Sequence, residues 1–126
     1  ILTEISSQTN SFNISVKGVG VFGRLPYVRV LWAGIDKHTS LLYLHEHIES
    51  SLQHLHIKKD YRPFNPHLSL GRPRQKLKTG DFPAWLQEHQ SSLLQEIIVD
   101  HMIFYESFLE KTGARYIPLH QSTFKS

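Results

Sequence analysis

The clearest helical periodicity in this chain of 126 residues is confined to one stretch, where Leu41, Leu44, Ile48, Leu52 and Leu55 recur every three or four positions behind Thr39 or Ser40 as cap. Most other apolar runs alternate or are β-branched. Phe12, Ile14 and Val16 alternate with polar residues, Gly18 and Gly20 then interrupt, and Val21-Phe22 follows, which suits a strand with a bulge or bend. A turn over Gly23 to Pro26 leads to a second, largely buried strand, Val28 to Ile35. The His67 segment reads as a third, Ile97 to Tyr105 as a central strand, and Tyr116 to Leu119 as a last strand after a turn at Gly113. Ile1, Leu2 and Ile5 look like the last turns of a helix, and a short helix is expected around Phe82 to His89. Hairpin-length connections are as frequent as helical ones. This predicts a single α+β domain over residues 1–126, with mainly antiparallel sheet and helices on its outer face.

Composition narrows the class. With 40% hydrophobic residues the chain is long enough for one core and too short for two ordinary domains. The absence of cysteine excludes a disulfide framework, a thiolate metal site and a cysteine nucleophile. No apolar run approaches the length of a membrane span, and the start Ile1-Leu2-Thr3-Glu4 has no signal-peptide character, so a cytoplasmic, monomeric protein away from membranes is expected. The net charge of +3 is mild. Locally, however, Arg72, Arg74, Lys76 and Lys78 gather cations where they can steer a polyanion.

Those cations follow the segment Arg62-Pro63-Phe64-Asn65-Pro66-His67-Leu68-Ser69-Leu70-Gly71-Arg72. Residues at i and i+2 of a strand share a face, so His67 and Ser69 can act on one ligand, while Leu68 and Leu70 are expected to point the other way, toward a core. Pro63 and Pro66 fix the entry of the chain, and Gly71 is expected to permit close backbone approach. Strict alternation puts Arg72 on the face opposite His67 unless the strand bends at Gly71. Phe64 and Tyr27 offer rings on which a base or ribose can stack.

Nine histidines raise the question of a metal. His45 and His47, and His54 and His56, are pairs that a helix throws to nearly opposite sides, and His45-Glu46-His47-Ile48-Glu49 lacks the four-residue spacing of a zinc helix. His47 and His54 share a face without a third ligand, so no metal site is expected. The triplets His38-Thr39-Ser40 and His120-Gln121-Ser122 repeat the histidine-any-serine spelling, the first at the helix start and the second beyond the last clear strand. Context singles out His67: apolar alternation, two prolines, a glycine and the cations after it.

The Arg62–Arg72 segment resembles the second histidine-x-threonine/serine motif of the 2'-5' RNA ligase or RNA 2',3'-cyclic phosphodiesterase family, within the two-histidine phosphoesterases. The run Val28-Arg29-Val30-Leu31-Trp32-Ala33-Gly34-Ile35 resembles that family's strand before its long helix. Ile103-Phe104-Tyr105-Glu106-Ser107 with Gly113-Ala114-Arg115-Tyr116-Ile117-Pro118-Leu119 resembles its C-terminal hairpin. The resemblance implies antiparallel sheets in two lobes around a central cleft. Ile1 to Ser7 matches the end of the family's first helix, so the first strands, that helix and the first histidine motif are expected to precede Ile1.

The resemblance also implies a chemistry. Two histidines act on a 2',3'-cyclic phosphate without metal or other cofactor; one takes a proton from water attacking phosphorus in line, and the other protonates the departing 3'-oxygen, leaving a 2'-phosphomonoester. His67 would be one of the pair, the base rather than the acid. Ser69 would donate a hydrogen bond to a non-bridging phosphate oxygen, and Arg72, with Phe64 and Arg74, would contact substrate. The partner is an RNA end carrying a cyclic phosphate or a small cyclic nucleotide. If the chain is complete as written, a non-catalytic RNA-end or nucleotide-binding module retaining half of the site competes with this reading, with a plain packing domain as a third.

Overall fold

The computed structural model describes residues 1–36, 38–74, 76 and 81–126. The elements run α1 (Leu2–Ser7), β1 (Phe12–Arg24), β2 (Tyr27–Ile35), α2 (Thr39–Leu52) with a 3-10 turn Gln53–Leu55, β3 (His67–Gly71), α3 (Asp81–Glu88), β4 (Leu93–Val99), β5 (His101–Glu110) and β6 (Gly113–Thr123). This is the α+β arrangement with antiparallel pairing that the sequence predicts. Two compact units form: Ile1–Phe12, Ser40–Tyr61 and Ile98–Ser126 make one, and Asn13–Thr39 and Arg62–Ile97 make the other.

The second unit is built on a four-stranded sheet of order β3-β2-β1-β4. Ile14, Val16, Val19, Val28, Val30 and Ala33 are its buried apolar side chains, all but Ala33 β-branched residues that fit a pleated surface covered on one side. The expected interruption of β1 is a bulge: Val16 pairs with Ile35 and Val19 with Ala33, so β1 takes three steps where β2 takes two. Gly18 carries it with φ +77, a conformation that a side chain disfavours. The β1–β2 turn falls at Leu25-Pro26, where a cis bond is present.

In the first unit β5 and β6 form a two-stranded ribbon. Ile5 of α1, Leu44 of α2, Phe12 and Phe124 are buried, the two phenylalanine rings stacked with centroids 6.2 Å apart. Leu41, Ile48 and Leu52 share the half-buried stripe of α2, as the periodicity predicts, while Leu55 is exposed. The helix begins at Thr39 itself, so Thr39 and Ser40 lie in its first turn and not before it.

Three sequence expectations give way. Ile97 to Tyr105 is no central strand: the chain breaks at Asp100, β4 ends one sheet as an edge and β5 starts the other. Its polar pair, Asp100 and His101, marks a crossing between sheets, with His101 Nδ1 2.6 Å from Asp100 Oδ1. Leu68 and Leu70 do not enter a core but are 44% and 55% exposed, because β3 is the edge strand of its sheet. The last strand also runs past Leu119 to Thr123, so His120 and Ser122 belong to it.

Candidate active site

His67 opens β3, paired with Gly34 of β2, and Ser69 is paired with Trp32. Opposed residues of an antiparallel pair share a face, so His67, Ser69, Gly34 and Trp32 lie on one side of the sheet and Leu68 and Ala33 on the other. The i, i+2 expectation for the histidine and the serine is met. The entry of the strand is fixed as well, since Pro66 offers its carbonyl to the Ile35 N–H at 3.2 Å although it has no N–H of its own to give.

The His67 ring is held on three sides. Phe22 meets it edge-on at 5.0 Å between centroids, and Trp32 lies at 6.5 Å. Its Nδ1 is 2.7 Å from the carbonyl oxygen of Asn65. A carbonyl only accepts, so Nδ1 is the donor and in the neutral ring the lone pair resides on Nε2. Among the described residues Nε2 has no hydrogen-bond partner. These residues border an open cavity of about 250 Å³, with Ile35 and Pro66 completing its apolar lining.

Trp32 makes the wall of that cavity because Gly20 lets it. A Cβ on Gly20 would stand 2.3 Å from the indole ring, so the strand across from Trp32 has to present a bare backbone there. Gly34 answers a different demand, since its Cβ would meet the Lys17 carbonyl oxygen at 2.6 Å. The Trp32 Nε1–H is buried without a hydrogen-bond partner among the described residues, an energetically costly state for a donor.

The expectation that Gly71 serves close approach is not met, since a Cβ there would meet nothing within 4 Å. What bends the parity of β3 is a bulge one residue earlier: Ser69 pairs with Trp32 and Gly71 with Leu31, two steps against one. The extra residue, Leu70, reverses the alternation beyond it, so the backbone parity at Arg72 returns to that of His67. Arg72 is exposed just past the strand end. Phe64 is half-buried, and the rings that touch His67 are instead Phe22 and Trp32. Arg74 lines a separate cleft with Tyr27 and Lys76, and Lys78 lies outside the described residues.

Neither Trp32, Phe22 nor the Asn65 carbonyl stood out in the sequence as part of a site. Finding them needs the register Gly20 to Trp32, which the bulge at Gly18 sets and no spacing rule supplies. His47 and His54 do share a face, bordering a cavity with Glu4. Among the described residues no three histidine, aspartate or glutamate side chains converge on a point.

The sequence model of the 2'-5' RNA ligase superfamily matches residues 1–106. The chain belongs to this superfamily. An RNA 2',3'-cyclic phosphodiesterase of Thermotoga maritima is 30% identical over 122 residues, covering 91% of this chain and 59% of the relative. One of Methanocaldococcus jannaschii is 29% identical over 103 residues, 82% of this chain and 58% of that protein. The chain therefore spans somewhat more than half the length of these relatives. Among solved structures, E. coli LigT complexed with 3'-AMP superposes with a TM-score of 0.71 at 20% identity, over 99% of this chain and 67% of that one. That likeness establishes the 2'-5' RNA ligase fold. Among the described residues no helix is long and apolar enough to cross a membrane.

Proposed function

We propose that this chain carries one half of a metal-independent active site that hydrolyses RNA 2',3'-cyclic phosphate ends to 2'-phosphomonoesters, with His67 as one of two acid/base histidines. The observation that carries the reading is the tautomer of His67: Nδ1–H is engaged by a backbone carbonyl, which leaves Nε2 with a lone pair and no partner among the described residues. That is the state a general base needs before it accepts a proton. The names of the relatives, RNA 2',3'-cyclic phosphodiesterase, support the same substrate class. So does the nucleotide bound by LigT.

In the forward step Nε2 of His67 takes a proton from water while the water oxygen bonds to phosphorus. The bond from phosphorus to the 3'-oxygen breaks, and the second imidazole gives that oxygen a proton. On the family pattern the second imidazole belongs to the family's first histidine motif. Ser69, on the His67 face, donates to a non-bridging oxygen, and Arg72, returned to that face by the bulge at Leu70, balances the charge gathering on phosphate. Taken in the same direction with an RNA 5'-hydroxyl in place of water, the same proton transfers join the 5'-oxygen to phosphorus as the 3'-oxygen leaves and make a 2'-5' linkage.

Hydrolysis of a 2',3'-cyclic nucleotide by the protein and by His67→Ala tests this. Loss of one acid/base group lowers turnover by about 10²- to 10⁴-fold. Undiminished hydrolysis in the variant would remove His67 from the reaction. Binding of the nucleotide without turnover in the unaltered protein would favour a module that keeps the phosphate pocket alone.

A further inference from the structure

A second cleft in the same unit is unaccounted for by the reaction. It has a volume of about 490 Å³, with Tyr27, Val28 and Arg29 of β2 on one side and Pro73, Arg74 and Lys76, beyond β3, on the other. Its β2 wall is shaped by the chain. Phe22 pairs with Val30 and Gly23 with Val28, so Arg29 is an extra residue bulged from the ladder. Gly23 has φ +100, and a Cβ on it would press to 2.6 Å from the Tyr27 carbonyl oxygen and 3.0 Å from the Arg29 nitrogen. The strand thus needs glycine opposite to hold Tyr27 and Arg29 where they are.

The chemistry of the cleft is one-sided. Tyr27 is 63% exposed, and Lys76 Nζ lies 5.1 Å from its ring centroid. Among the described residues Arg29, Arg74 and Lys76 have no carboxylate partner, and no acidic side chain lines the cleft. Cations beside an exposed aromatic face match a single nucleic-acid strand, whose phosphates meet the charges and whose bases stack. Small anions need no such ring, and duplexes offer no free base to stack on it.

Along β2, Gly34 stands opposite His67 and Val28 borders the second cleft. Six residue steps along the strand separate them, roughly 20 Å at ~3.3 Å per step. A mononucleotide at His67 does not reach that far; a strand does. We infer that the Tyr27 cleft is a second subsite, which binds the body of a single-stranded RNA whose 3' end lies at His67. The inference rests on the proposed reaction for the placement of the 3' end only.

The test is fluorescence anisotropy of a 5'-labelled single-stranded oligoribonucleotide ending in a 2',3'-cyclic phosphate, beside a cyclic mononucleotide as competitor, across a salt series. The oligonucleotide is expected to bind tighter than the mononucleotide. With the three cations of the cleft and Arg72 contributing, log affinity is expected to fall against log salt with a slope of about −2.8. Arg29→Ala/Lys76→Ala flattens that slope by about 1.4 and collapses the preference for the oligonucleotide. Tyr27→Leu, which keeps the charges, weakens oligonucleotide binding roughly tenfold with the slope retained. Wild-type affinity and slope in both variants would overturn the subsite, as would equal binding of oligonucleotide and mononucleotide by the unaltered protein. Should His67→Ala leave mononucleotide hydrolysis intact while the cleft variants lose the oligonucleotide, the reaction assignment fails and the strand-binding cleft stands.

Discussion

Two strands of this protein carry the same spelling, histidine-any-serine, and put it to different uses. On β6, His120 Nε2 lies 3.0 Å from Thr3 Oγ1 of α1, and Ser122 is buried, accepting a hydrogen bond of 2.7 Å from Ser6 Oγ. That triplet fastens a helix to a strand. On β3, His67 is fastened at Nδ1 by a main-chain carbonyl and keeps Nε2 without a partner among the described residues, while Ser69 is exposed on the same face. The two regions teach that what the polar atoms of a histidine–serine pair already hold decides whether the pair is left open to a ligand. A motif whose polar atoms are consumed by packing is structural, however well its letters match.

The widest gap between the two strands is expected in turnover. His67→Ala lowers hydrolysis of a 2',3'-cyclic nucleotide by about 10²- to 10⁴-fold, whereas His120→Ala leaves the rate near that of the unaltered protein. Equal losses in the two variants would erase the distinction. The serines reverse the contrast. Ser122→Ala strands a buried hydroxyl on Ser6 and is expected to cost about 1–3 kcal/mol in urea unfolding. Ser69→Ala leaves the unfolding midpoint unchanged and weakens phosphate-group binding roughly tenfold or more, the loss of a hydrogen bond to a charged acceptor. Gly20→Ala sharpens the β3 side: its methyl displaces Trp32, with a stability loss of about 1–3 kcal/mol and a weaker KM for the cyclic nucleotide.

The smallest expected effect belongs to the first unit, where Lys59 bonds Glu46. The Lys59 ammonium, with the Ser50 hydroxyl, holds the Glu46 carboxyl below its usual range, and Glu46 in turn holds the Lys59 amine above its own. The carboxyl's contribution to stability is present above the ordinary glutamate range and is lost as pH falls through its lowered value. The amine's contribution is present below the ordinary lysine range and is lost as pH rises through its raised value. Both side chains reach solvent, so Lys59→Met should shift the unfolding midpoint only slightly and mainly between these limits. Its effect on cyclic nucleotide hydrolysis should be nil, in contrast to any change at β3.

Much of this was legible in the chain. The pairing of alternating runs with short turns gave the antiparallel sheets, and Gly18 announced the bulge in β1. His67 and Ser69 were legible as one-faced because period-two parity needs no knowledge of neighbours. Arg72 was not, because its parity depends on a bulge at Leu70 that leaves no composition signal. Leu68 and Leu70 misled for a related reason: apolar alternation reports a face that is suited to burial, while edge position decides whether anything covers it. Ile97 to Tyr105 reads as one strand because β-branched residues say nothing about which sheet they join. Trp32 and Phe22 entered the site through register alone.

The acceptor that sets the tautomer of His67 belongs to the main chain, and this has a consequence for how the site can be altered. Every amino acid brings the same carbonyl, so a side-chain scan at position 65 is blind to it, and Asn65→Ala is expected to keep the proton on Nδ1. The residue that governs the orientation of that carbonyl is its neighbour, since Pro66 confines Asn65 to extended backbone. The protonation pattern of an imidazole is thus inherited from a pyrrolidine ring that has no N–H proton of its own to give.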